Sequence, residues 1–138
     1  MPPETPDPVE LTRSAYASLN RREFDAMMDI FGPTSVWDVS RWGLGAQVGA
    51  EAIRRFLEDW FGSLEEYQVE VQELLDLGGG VVLAVVVQVG RRAGSHGYLR
   101  LRSAPVFEWV QGKVARITLY PDIEEGREAA ERAAASRD

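Results

Sequence analysis

The 138-residue sequence has no cysteine and a single histidine, His96. The first absence excludes a disulfide framework and any thiolate metal site. The second leaves too few ligands for zinc or iron, which need several converging His, Cys or carboxylate groups. No metal and no cofactor is expected. No apolar run reaches the ~18 residues of a membrane span. There is no arginine-rich run or basic face, and the net charge is −7. Nucleic acid is therefore not an expected partner, because phosphate recognition needs clustered cations. The opening Met-Pro-Pro-Glu-Thr-Pro-Asp-Pro lacks the cationic start and apolar stretch of a secretory signal, which points to a cytoplasmic protein.

Proline is scarce outside the N-terminus: four of the seven fall in the first eight residues. Residues 1–8 are expected to form a flexible tail and residues 9–138 one domain. Hydrophobic residues at 45% and charged residues at 27% are ordinary globular values. A chain of this length buries roughly two-thirds of its unfolded surface.

Asp7-Pro8 opens a helix, with Asp7 as cap, Pro8 at the first helical position and Glu10 where a capping box places an acid. Leu11, Ala15 and Leu19 form its buried stripe, bordered by Tyr16. After a break at Asn20-Arg21-Arg22, a second helix is expected from Glu23 to Phe31, stopped by Gly32-Pro33. Ser35–Ser40 alternates as a strand. Trp42–Gly45 reads as a loop, and Ala50–Phe61 as a third helix with Ile53, Phe56, Leu57, Trp60 and Phe61 on one side.

The rest reads as sheet. Tyr67, Val69 and Val71 alternate with polar residues, and Gly78-Gly79-Gly80 is a turn. Val81–Val89 is apolar except for Gln88, so both its faces must be covered. His96–Val110 is a long strand bent at Pro105, and Lys113–Tyr120 follows a turn at Gln111-Gly112. Asp122 then caps a surface helix from about residue 123. The fold expected is α+β, a curved antiparallel sheet wrapped around the N-terminal helices.

This order, with Tyr16-Ala17-Ser18-Leu19-Asn20, Phe24-Asp25-Ala26-Met27, Val48-Gly49-Ala50-Glu51-Ala52-Ile53 and Arg116-Ile117-Thr118-Leu119-Tyr120-Pro121-Asp122, resembles the nuclear transport factor two-like superfamily. Within it, the resemblance is to SnoaL-like and ketosteroid isomerase-like proteins, and it runs from about Pro8 to Ala130. It implies a cone-shaped cystatin-like roll with one apolar pocket. Ketosteroid isomerases use a carboxylate base, a tyrosine and a protonated acid. By resemblance the base position falls on Asp38, the tyrosine position on Ala15 beside Tyr16, and the second acid near Pro105. One part of three matches, which points away from steroid isomerisation as such. Limonene epoxide hydrolases share the fold and use an Asp-Arg-Asp set, for which Asp38, Arg116 and Asp122 are the candidates here.

Inside an apolar pocket Asp38 would have a raised pKa and could serve as a base; on the other face it would be an ordinary strand carboxylate. Arg116, Thr118 and Tyr120 share one face of the last strand. A pair between Arg116 and Asp38 would depress the carboxyl and make it a poorer base. Asp122 reads equally as a helix cap. Tyr16 is either core or a hydroxyl in the pocket. Trp42, Trp60, Phe107 and Tyr120 are expected to line the pocket, and Trp37 to lie at a subunit contact. His96, Tyr98, Arg100 and Arg102 form either a polar outer face or a polar pocket wall. The expected ligand is a small apolar molecule. The protein is then either an isomerase, cyclase or hydrolase using Asp38 with Arg116 or a tyrosine, or a non-catalytic binding or dimerisation module. A homodimer is expected, to cover the outer face of Val81–Val89.

Overall fold

The computed structural model describes residues 7–62, 64–92 and 97–137. Six residues of the expected tail and His96 lie outside this set. Helix α1 (Pro8–Asn20) starts where its cap is, with the Asp7 carboxylate accepting from the Val9 amide at 2.9 Å. Its buried side is Thr12, Ala15, Tyr16 and Leu19. The break after it is a clamp. Asn20 pairs with Val69 as a strand residue would, its amide donating to the carbonyl at 2.9 Å and accepting from the backbone N–H at 2.8 Å. Arg22, at φ 60, donates to the Tyr67 carbonyl at 3.0 Å.

Helix α2 (Phe24–Met28) is shorter than expected. Past Met28 the chain tightens into i→i−3 bonds, Ile30 to Met27 at 3.1 Å and Phe31 to Met28 at 3.2 Å. Strand β1 (Val36–Asp38) leads into a 3-10 turn at Ser40–Trp42. The chain reverses through Gly43 and Gly45, whose φ of 78 and 74 favour glycine. It then forms an unforeseen strand, β2 (Ala46–Val48), antiparallel to β1 with Val36 opposite Val48. Helix α3 (Ala50–Gly62), β3 (Leu64–Gly78), β4 (Val81–Arg92), β5 (Tyr98–Val110), β6 (Lys113–Tyr120) and α4 (Ile123–Ala135) complete the chain.

The six strands form one sheet in the order β2-β1-β6-β5-β4-β3. β1 runs parallel to β6, with Asp38 opposite Thr118, and every other pairing is antiparallel. The result is a mixed α+β fold with a curved open sheet, its inner face filled from α1 and α3 and its outer face packed by α4.

Side chains alternate across β4. Val82, Ala84 and Val86 join the inner core. Val81 and Leu83 join a second cluster with Ala104, Val106, Tyr120, Ala130 and Ala134 beneath α4. Val85 and Val87 also point outward, yet are only 1% and 2% exposed. Arg102 stands opposite Val87, and its Nε donates to Gln72 on β3 at 3.1 Å, so its stem crosses β4. The outer face for which the sequence suggested a second copy is thus covered within one chain. Tyr98, Arg100 and Arg102 stand exposed on that same outer side rather than in a pocket wall.

The packing of α4 rests on small residues. A Cβ on Gly126 would come within 2.8 Å of the Ala104 Cβ and 3.0 Å of its carbonyl oxygen. In an unpacked helix Gly→Ala would stabilise by about 1 kcal/mol. Against a strand backbone, overpacking costs about 1–3 kcal/mol. Gly126→Ala is therefore expected to lower the urea midpoint, and a midpoint at or above that of the parent would mean that α4 lifts off the sheet freely.

Candidate functional site

Between the inner face of the sheet and α1 and α3 lies a cavity of ≈ 70 Å³, open to solvent at its mouth. It suits about five waters at ~10–15 Å³ each, which is the room of a one- or two-ring molecule. Seven aromatic side chains wall it: Tyr16, Trp37, Trp42, Phe56, Trp60, Phe61 and Tyr67. Helical spacing on α3 delivers Phe56, Leu57, Trp60 and Phe61 to one side, and strand alternation delivers Trp37 and Val39. The turn after β1 brings Trp42 and Leu44 to the wall. No charged side chain lines the cavity among the described residues.

Its polar groups are all neutral. The Tyr67 hydroxyl donates to the Gln88 amide oxygen. Burial pushes the Tyr67 phenol up to about 12, against the opposing effects of a bond from Trp60 and the charge of Arg22. Burial, with Tyr67 nearby, raises Tyr16 further still. Both phenols therefore keep their protons at neutral pH and are not bases. The indole N–H groups of Trp37 and Trp42 are buried with no hydrogen-bond partner among the described residues. A buried unmet donor costs about 1–3 kcal/mol of stability.

Asp38 is not in this wall. Its neighbours Trp37 and Val39 face the cavity, so alternation sends Asp38 to the outer side. There its carboxylate accepts from the Ser40 amide at 2.9 Å and pairs with the Arg116 guanidinium. Burial alone would raise this carboxyl, but the Ser40 hydroxyl and amide and the Arg116 charge outweigh it and hold the pKa below the ordinary value. The expectation of an inward Asp38 and an outward Trp37 is corrected: the two are exchanged. Arg116 is on the outer side with Asp38. Tyr120 is there too, under the Arg41 guanidinium at 4.4 Å from its ring centre, and Arg41 in turn bridges Glu125 at 2.9 Å. Asp122 caps α4, accepting from the Glu124 and Glu125 amides at 2.8 and 3.1 Å. An Asp38-Arg116-Asp122 set acting on a cavity ligand has no access to it from that side.

Tyr16, Trp42 and Trp60 do come together at the cavity. Phe107 instead packs in the core beneath, edge-on to Tyr16 at 5.6 Å and stacked on Trp109 at 6.0 Å. Pro105, matched to the second acid of the isomerases, is on the wall but has no proton to give.

The sequence pattern of the SnoaL-like domain matches residues 12–117. This chain belongs to the SnoaL-like family. Among solved structures, the SnoaL-like domain is similar to a Shewanella putrefaciens protein classed by name with SnoaL-like polyketide cyclases. That match has 11% identity and a TM-score of 0.70, covering 94% of this chain and 99% of the other. TerC, co-crystallized with polyporic acid, matches at 19% identity and TM-score 0.70, over 90% of this chain and 98% of its own. A Catenulispora acidiphila protein with a ketosteroid isomerase-like fold, in complex with trimethylamine, matches at 15% identity and TM-score 0.72, over 80% and 84%. At these identities the likeness speaks for the fold. Among curated proteins none matches. No helix of the described residues is long and apolar enough to cross a membrane.

Sequence reasoning passed over Gln88, Tyr67, Trp37 and Leu44. The signal for Gln88 was present, as the one polar interruption of Val81–Val89.

Asp38 yields a test of its placement. Its lowered pKa means that the ionised form stabilises the fold above the ordinary value of 3.8, and that this contribution is lost as pH falls through the folded pKa. Breaking a buried pair costs about 3–5 kcal/mol. Arg116 is 44% exposed and can be rehydrated, so Asp38→Asn should cost less, about 1–2 kcal/mol at pH 7. The difference from the parent should shrink on acidification below about pH 4, as seen in paired thermal melts.

Proposed function

We propose that this SnoaL-like domain binds a small, neutral, ring-containing molecule in the inner cavity. The observation that carries the reading is the wall: seven aromatic side chains and, among the described residues, no charged group. Such a surface gains from burying flat apolar area and offers an ion nothing to compensate its desolvation. That TerC was co-crystallized with polyporic acid supports a small-molecule role for this fold.

An isomerase, cyclase or hydrolase reaction driven by a carboxylate base fits less well. It would require Asp38 to turn to the other face of β1, giving up its bonds to Ser40 and Arg116. The cavity can position and polarise a carbonyl, but among the described residues it holds no group poised to take a proton near neutral pH.

Three of the four tryptophans stand in the wall, so binding should register in intrinsic fluorescence. Titration with 1,4-naphthoquinone is expected to quench emission with a saturable curve. Val86→Phe, which puts a ring into the cavity, should abolish saturation while leaving the far-UV circular dichroism unchanged. Quenching that stays linear in the parent, or is identical in the two proteins, would count against the cavity as a binding site.

A further inference from the structure

Gln88 is buried at 8% exposure and stands on the cavity wall. Its amide oxygen accepts the Tyr67 proton. The Tyr67 oxygen is itself bonded by Trp60, whose indole can only donate. The series from Trp60 through Tyr67 to Gln88 therefore runs in one direction. It occupies the acceptor side of the Gln88 amide and leaves the NH₂ group, with its two protons, as the free end. The group left over at this end of the wall is thus a donor, and among the described residues no cation lines the cavity to balance an anion.

We propose that Gln88, oriented by Tyr67, makes this cavity selective for ligands carrying a neutral hydrogen-bond-accepting oxygen, of the ketone or quinone class, over ligands that offer a donor. The inference rests on the binding role proposed above and specifies its chemistry. A ligand hydroxyl or N–H directed at the Gln88 amide would meet its NH₂ and leave its own proton unmatched, whereas a carbonyl oxygen accepts from it.

Calorimetric titration with indane, 1-indanone and indole tests it, since the three share one size and differ in having no polar group, an acceptor or a donor. The parent should bind 1-indanone about threefold to tenfold more tightly than indane, as one neutral hydrogen bond allows, and indole no more tightly than indane. Gln88→Leu should bring the ratio of 1-indanone to indane affinity to about one. Tyr67→Phe frees the amide to rotate, so the ketone preference should narrow and indole should gain. A parent that does not prefer the ketone to indane, or that prefers indole, overturns the inference. So does a preference that persists in Gln88→Leu or, should that variant not fold, stands unchanged in Tyr67→Phe. Absence of binding by both indane and 1-indanone at about 1 mM overturns the binding role itself, and the selectivity falls with it.

Discussion

The bond between the Asp38 carboxylate and the Arg116 guanidinium, seconded by the Ser40 amide, decides which side of β1 looks inward. β1 is only three residues long and lies between a three-residue edge strand and β6. So short a ladder specifies register weakly, and a slip of one residue would exchange its faces. With Asp38 tied to β6 on the outside, Trp37 and Val39 must go inside, and the turn that follows sets Trp42 and Leu44 at the cavity. A half-buried ion pair on the outer side thus governs the composition of an interior wall that it never touches.

The cavity that results is neutral in a chain of net charge −7. The acids and arginines are paired on the outside, as in Arg100 with Glu70, Arg41 with Glu125 and Arg137 with Glu108. Specificity inside is left to hydrogen-bond direction. Unlike charge, that property is insensitive to salt and to pH over the range where the phenols keep their protons.

Much of the fold could be read in advance, and much less of the site. Helical stripes on α1 and α3, the Asp7 and Asp122 caps, the glycine turn before β4 and the break at Gly32-Pro33 are local signals, and local chemistry produces them. Strand β2 was missed because three residues carry no usable period, and its partner is brought close only by two left-handed glycines. The inward direction of β1 was misread for a different reason. Within Val36–Ser40 the alternation by itself favours Trp37 and Val39 inward, and it was the resemblance to the isomerases that put Asp38 there instead. What fixed the choice was Arg116, far along the chain, and a parallel pairing that no local pattern announces. Gln88 was visible as an exception. Its meaning depended on Tyr67 lying on the next strand, which is a fact of register.

The sheet ends at β3, fifteen residues long and paired only with β4. A flat strand of that length would be a template on which another chain could crystallise its own backbone. Here the pairing with β4 skips at three places, between Glu65 and Gln68, Val71 and Glu73, and Asp76 and Gly78, each of which bends the strand. Exposed Glu66, Glu70, Glu73 and Asp76 line the same stretch with negative charge. An incoming identical strand would meet a crooked rim and its own acids. The domain can therefore carry a sheet rich in valine with a β3 margin poorly suited to seeding fibres.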